Sequence, residues 1–290
     1  MLSSPRQILL DSMRADYAIG AFNVSNLEMA QAVVRAAVNK KSPVIIQTSE
    51  GALEYGGLSL LSSIMKILAD EAKVPVIVHL DHGKSIETVR KCIEAGYTSV
   101  MIDSSTLPFE ENIKKTREVV DYAHARGVWV EAELGAIIGK EGVKDLHGSM
   151  TPDSFLTDPK QAAEFVTKTS VDSLAVSVGT IHGAFTGQEY IRFELLEQIQ
   201  QAVSDIPLVL HGSSGIASEH LKKACESHVS KINVDTELRM AFETAVEQYF
   251  AHPRTSYDPR NMLGPARDAM EMVIEQKMDL FGSSNTATIY

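Results

Sequence analysis

Short apolar or β-branched runs alternate along the chain with longer segments whose apolar residues recur at three- and four-residue spacing. The first pattern reads as strands covered on both faces, the second as amphipathic helices. Strands are expected over residues 17–24, 43–49, 75–80, 99–103, 129–134, 173–179, 207–211 and 231–235. Helices are expected over 26–39, 58–72, 86–95, 109–125, 159–169, 193–203, 218–227 and 237–250. Pro43, Pro75 and Pro207 stand where a strand begins and proline removes no ladder donor. Eight strand–helix units predict a closed parallel (β/α)8 TIM barrel, one domain over residues 1–290 with a helical tail from about residue 252. An open doubly wound sheet is the alternative by pattern, but its usual nucleotide loop is missing: no GxGxxG follows the first strand, and no GxxxxGK runs into Ser or Thr.

Composition agrees with that size of core: 290 residues are 44% hydrophobic. A formal charge of -11, with no continuous Lys/Arg stripe, argues against nucleic acid as a partner. Arg6, Asp11, Arg14 and Asp16 interrupt any apolar signal segment, and no apolar run approaches the roughly 20 residues that span a bilayer. A soluble cytoplasmic protein without a membrane partner is expected. Cys92 and Cys225 form no CxxC pair, so buried reduced thiols are expected rather than a disulfide or a thiolate metal site.

The chemistry concentrates at one end of the expected barrel. His82, Asp103, Glu133, His182, His211 and Asn233 all fall at or just after the carboxyl ends of different strands, where barrel active sites sit. A lone histidine there is more often structural than a ligand, but three of them leave one coordination position open, as a catalytic zinc requires. Asp81 lies beside His82 in His79-Leu80-Asp81-His82-Gly83, placed either to move a substrate proton or to orient a histidine. His79, on the same face as Asp81, fits a barrel-layer residue equally well. Asp103 and Glu133 either orient ligands, hold the metal in an alternative position, or simply end their strands. Gly183, Gly212-Ser213-Ser214-Gly215 and Asn233-Val234-Asp235-Thr236 offer backbone N–H groups and a helix start after the late strands, where barrels bind phosphate. The segment 136–156 is long for a connecting loop, as functional lids often are.

These motifs, together with Ala21-Phe22-Asn23-Val24, Glu131-Ala132-Glu133-Leu134-Gly135, Gly179-Thr180-Ile181-His182-Gly183, Lys231-Ile232-Asn233-Val234-Asp235-Thr236 and Asp258-Pro259-Arg260, resemble class II ketose-bisphosphate aldolases over nearly the whole chain, in order. The resemblance implies reversible, zinc-dependent cleavage of a ketose 1,6-bisphosphate to dihydroxyacetone phosphate and glyceraldehyde 3-phosphate. His82, His182 and His211 would hold the metal, Asp81 would take the C4 hydroxyl proton, and Asn23 and Asp258 would contact substrate hydroxyls. Lys231, at the start of the eighth expected strand, is then at the wrong end for a Schiff-base lysine. Glu141 matches the glutamate that protonates C1. The family usually carries two glycines before that acid, whereas this chain reads Ile137-Ile138-Gly139-Lys140-Glu141, so the loop is expected to be stiffer at Ile138. A second departure is Ser213, where the family more often has Gly or Ala. A monovalent cation, Na+ or K+, near the C1 phosphate is also implied.

Fructose and tagatose bisphosphates differ only at C4. Asp235 and Arg239 resemble the fructose branch; the tagatose branch tends to have Ala and Lys at these places. Ser49, Arg239 and Arg260 match positions that bind the C6 phosphate, a task that suits the planar arginine fork. The tail around Arg260 reaches a neighbouring subunit in the family, which implies a homodimer or homotetramer. Two readings compete: a barrel metallohydrolase, which typically places a His-x-His pair where this first strand ends in Asn23, and a sugar-phosphate-binding regulator without turnover.

Overall fold

A computed structural model describes residues 1–135, 138–139, 155–182, 191–251 and 257–289. Eight parallel strands close into a barrel: β1 (Ile19–Asn23), β2 (Val44–Ser49), β3 (Val76–Gly83), β4 (Ser99–Ile102), β5 (Trp129–Leu134), β7 (Ser173–Val176), β9 (Leu208–Leu210) and β10 (Val229–Val234). Two short strands, β6 (Ile138–Gly139) and β8 (Ile181–His182), pair in parallel outside it. The helices are α1 (Pro5–Arg14), α2 (Leu27–Lys40), α3 (Glu50–Gly56), α4 (Leu58–Glu71), α5 (Ile86–Glu94), α6 (Phe109–His124), α7 (Pro159–Thr169), α8 (Phe193–Ala202), α9 (Ser218–Cys225), α10 (Thr236–Ala251) and α11 (Arg260–Leu280). The expected barrel is present, and α11 packs against α2 and α10.

Side chains alternate across a strand, and here the parity is shared between strands. Even-numbered residues such as Phe22, Ile46, Val78, Val100, Val130, Leu174, Leu210 and Ile232 join the helices in the outer core. Odd-numbered Ile19, Ala21, Ile45, Ile77 and Trp129 fill the barrel interior, with Met101, Ala175 and Val209 as a second inner group. Higher up, the odd positions turn polar: Asn23, Gln47, His79, Asp81, Glu131, Glu133, His211, Lys231 and Asn233, all buried. An apolar floor therefore carries a polar mouth.

Three local differences from expectation matter. Helix α1 starts at Pro5 behind an N-capping Ser4, and its Ile8 and Leu9 pack onto the inner floor residues. β7 stops at Val176, so His182 lies not on a barrel strand but on β8, in register with Gly139. β10 begins at Val229, which puts Lys231 inside the strand rather than at its start. Cys92 and Cys225 are free and buried, and burial pushes both thiols up to about 12. Among the described residues, no single helix is long and apolar enough to cross a membrane.

Gly83 closes β3 where space is tight: a Cβ there would lie 2.6 Å from the Met101 carbonyl oxygen and 2.8 Å from Leu80 Cδ2. Gly83→Ala should lower stability by about 1–3 kcal/mol, read from the denaturation midpoint. An unchanged midpoint would show that β3 yields freely at this point.

Candidate active site

The site begins with an irregularity. Asp81 and His82 are neighbours, so in a regular strand only one could face the barrel mouth. The β3–β4 register shifts between Leu80 and Gly83, and His82 takes the left-handed conformation, φ 47°. Such a conformation costs a non-glycine residue on the order of 1–3 kcal/mol and persists where surrounding contacts hold it. Here the contacts are specific. His82 Nδ1 lies 2.9 Å from Asp103 Oδ2, and His82 Nε2 lies 2.9 Å from His211 Nδ1, the two rings meeting edge to face.

Asp81 is held by amides on both oxygens. Asn23 Nδ2 donates to Oδ2 at 2.8 Å and Asn233 Nδ2 to Oδ1 at 2.9 Å, while Gln47 Nε2 donates to Asn23 Oδ1 and fixes that amide's orientation. Each carboxylate oxygen keeps a lone pair for a further donor. Below, Glu131 Oε1 meets His211 Nε2 at 3.0 Å, and Lys231 Nζ donates to both Glu131 oxygens at 3.0 and 2.8 Å. His79 proves to be a barrel-layer residue, its Nδ1 2.7 Å from Ser99 Oγ and its Nε2 3.5 Å from Lys231 Nζ.

Charge is crowded here. Burial alone would raise Asp81, but His82, His211 and Lys231, with the Asn23 hydrogen bond, bring it down to about 2. Burial would likewise lower His82; the charges of Asp81, Glu133 and Asp103 and the Asp103 hydrogen bond bring it up to about 10. Burial opposes ionisation of Asp103 too, yet the His82 and Ser105 hydrogen bonds hold it well below the usual carboxylate range. Glu133 goes the other way: burial and the Asp103 charge push it up to about 8. Its Oε2 is buried without a hydrogen-bond partner among the described residues, 3.8 Å from His211 Nδ1. Donor atoms of Asp81, His82 and His211, and again of His82, Asp103 and Glu133, lie within 4.8 Å of one another. This donor set fits a divalent cation: imidazole and carboxylate ligands, an orphaned acceptor and an excess of negative charge.

Two of the three expected histidine ligands thus converge, and the third, His182, is placed by the backbone of β8. Glu141 and Gly183 lie outside the described residues. The segments that follow β7 and β9 and the end of β10 are tied together: Thr180 Oγ1 donates to the His211 carbonyl and Ser213 Oγ to the Asn233 carbonyl. Gly212 and Gly215 in that turn have φ 64° and 94°, which only glycine adopts freely. Ser214 lies in the same turn, and Thr236 opens α10, with the Asp235 carbonyl accepting from Leu238 and Arg239. A cleft of about 420 Å³ beside His82 is lined by Ser49, Glu50, Tyr55, Lys84 and Arg239. Arg239 Nε donates to Asp235 Oδ1 at 2.6 Å. Arg260 does not join this cleft; its side chain is 88% exposed and paired with Asp258. The residues that motif reading left without a role are Glu131, Lys231 and Gln47. Their signal was parity, since each is an odd-numbered polar residue within a run of buried strand.

A family model described as "Fructose-bisphosphate aldolase class-II" matches residues 3–286. The fructose-bisphosphate aldolase of Geobacillus stearothermophilus is 45% identical over 289 residues, 99% of each chain. That of Thermus caldophilus is 42% identical over 310 residues, covering 99% of this chain and all of the relative. Among solved structures, the YdjI aldolase from Escherichia coli K12 superposes with TM-score 0.88 at 39% identity, covering 99% of this chain and 100% of that one. The fructose-bisphosphate aldolase from Campylobacter jejuni gives TM-score 0.82 at 26% identity, with 98% and 96% covered.

Two outcomes follow from the charge arrangement. Asp103→Asn, which weakens the acceptor at His82 Nδ1, should reduce divalent-cation affinity about 10- to 100-fold in equilibrium dialysis; unchanged affinity would mean that Asp103 does not orient the ligand. Glu133 has a raised folded-state pKa, so in the cation-free chain its contribution turns destabilising as pH rises from the ordinary carboxylate range through about 8. Glu133→Gln should therefore stabilise the cation-free chain by a few kcal/mol at about pH 9 and by much less at about pH 5. An equal effect at both pH values would contradict this.

Proposed function

Because this chain belongs to the class II fructose-bisphosphate aldolase family, we propose that it cleaves fructose 1,6-bisphosphate reversibly to dihydroxyacetone phosphate and glyceraldehyde 3-phosphate, with Asp81 taking the C4 hydroxyl proton. The observation that carries this reading is the paired amide grip on Asp81, which keeps an ionised carboxylate aimed into the mouth beside His82 and His211.

In this proposal His82, His182 and His211 hold one zinc ion, and Asp103 and Glu133 orient ligands or offer a second position for it. The bound ion supplies Lewis-acid polarisation of the ketose carbonyl. The rest falls to the chain. Asp81, lowered to about 2, is fully ionised at neutral pH and accepts a proton once a substrate hydroxyl is seated. Asn23 and Asp258 contact substrate hydroxyls, and Asn233 Oδ1, buried without a partner among the described residues, is a further acceptor. Gly183, Gly212, Ser213, Ser214 and Asn233 through Asp235 and Thr236 cradle the C1 phosphate, with Na+ or K+ beside it. Ser49 and Arg239 meet the C6 phosphate in the cleft next to His82. Glu141 protonates C1.

Asp235 and Arg239, ion-paired at 2.6 Å, are the residues that resemble the fructose branch, which supports fructose over tagatose bisphosphate as substrate. Arg260 and Tyr257, exposed by 88% and 93%, support a homodimer or homotetramer in which this segment completes a neighbour's site. Sugar bisphosphate turnover of this kind fits the cytoplasm. The hydrolase alternative falls with the family match.

Cleavage of both bisphosphates should be followed by coupled triose-phosphate detection, with and without a chelator. Preference for fructose 1,6-bisphosphate and loss of turnover on chelation are expected; retained turnover would contradict the metal-dependent reading. Asp81→Ala should reduce turnover about a hundred- to ten-thousand-fold while cation content is maintained. Turnover near that of the unaltered chain would remove Asp81 from the proton transfer.

A further inference from the structure

Beneath the cation site runs a buried relay that the aldol reaction itself does not call for. Lys231 Nζ spends its donors on Glu131 Oε1, Glu131 Oε2 and, at 3.5 Å, His79 Nε2. His79 passes the contact on through Nδ1 to Ser99 Oγ. Glu131 in turn meets Nε2 of His211 at 3.0 Å, and all four side chains from Lys231 through His211 are 0–1% exposed. The consequence for His211 is chemical. A neutral imidazole carries one N–H, and the ring nitrogen beside a carboxylate keeps it. With the proton at Nε2, the lone pair is on Nδ1, the atom that faces His82 Nε2 at 2.9 Å, and His211 stands with Asp81 and His82 in a group that could hold a metal ion.

We propose that Glu131 is a positioning residue that fixes the His211 tautomer with the Nδ1 lone pair toward the cation, and that Lys231 orients Glu131 by donating to both of its oxygens. This rests on the metal-dependent reading above and adds to it a requirement at the barrel's middle layer. Asp103 performs the mirror task on His82, accepting at Nδ1 so that Nε2 faces the cation.

The test separates the acceptor from the charge. In Glu131→Met/Lys231→Met the ion pair is replaced by apolar chains of similar volume, an exchange that buried pairs often tolerate; in Glu131→Gln/Lys231→Met the charge is gone but an amide oxygen still accepts from Nε2. Co2+ binding is measured by competition with a chelating dye and by the visible Co2+ spectrum, with thermal melting of the cation-free proteins to establish that each folds. The Met/Met variant should bind Co2+ about 10- to 100-fold more weakly with an altered spectrum, and the Gln/Met variant should recover most of the affinity. Wild-type affinity and spectrum in the Met/Met variant would overturn the positioning role while leaving the aldolase reading intact. Equal loss in both folded variants would also overturn it, since the acceptor would then make no difference. A wild-type chain that takes up no Co2+ would overturn the underlying reading and the proposal together.

Discussion

The structure turns on a charge imbalance at the mouth of the barrel. Asp81, Asp103, Glu131 and Glu133 bring four carboxylates into a buried space in which Lys231 is the resident ammonium. Burying unpaired charge is expensive enough that a group neutralises or finds a partner. Glu131 solves the problem with Lys231, and Asp103 with His82. Glu133, pushed up to about 8, solves it by holding a proton. The remaining demand for positive charge suits a cation, and Asp81, His82 and His211, and again His82, Asp103 and Glu133, form groups that could hold one. Stability without the cation and chemistry with it are opposite sides of one electrostatic arrangement.

Backbone geometry makes that arrangement reachable. Strict alternation would send His82 outward among the helices, where Leu80 and Val78 lie. The register shift and left-handed φ at His82 turn it inward beside Asp81, so that the proposed ligand and the proposed base come from adjacent residues. The apolar floor below, closed by Ile8 and Leu9 of α1, excludes water from the underside of the relay. Thr180, after β7, and Asn233, near the end of β10, are joined to the segment after β9 through His211 and Ser213, which sets the Gly/Ser turn at a fixed place.

Much of this was legible in the chain. Strands covered on both faces are near-continuous apolar runs, and each of the eight expected barrel strands overlaps an observed one. The misplacements occur where the inner face turns polar. Lys231 seemed to open its strand because Ser230 breaks the apolar run, yet β10 starts at Val229. His182 read as the end of the sixth strand, but Gly179 takes φ 105° and the chain leaves the barrel before it. Helix α3 is seven residues long with Ala52 alone buried, too short for periodicity to register. The histidines, Asp81 and the Gly/Ser turn were visible as motifs. The roles of Glu131, Lys231 and Gln47 were not, because hydrogen bonds between strands join residues 24 to 100 positions apart and parity marks only the face each side chain takes.

The central claim is that the barrel mouth is a divalent-cation site whose ligand atoms are chosen by the carboxylates behind them. The most direct measurement is anomalous diffraction at the zinc edge from crystals grown with zinc. The account predicts one peak bonded to His82 Nε2 and His211 Nδ1, with Asp103 still at His82 Nδ1 and Glu131 still at His211 Nε2. A peak bonded to the opposite ring nitrogens, or no peak at the mouth with zinc bound elsewhere, would contradict it.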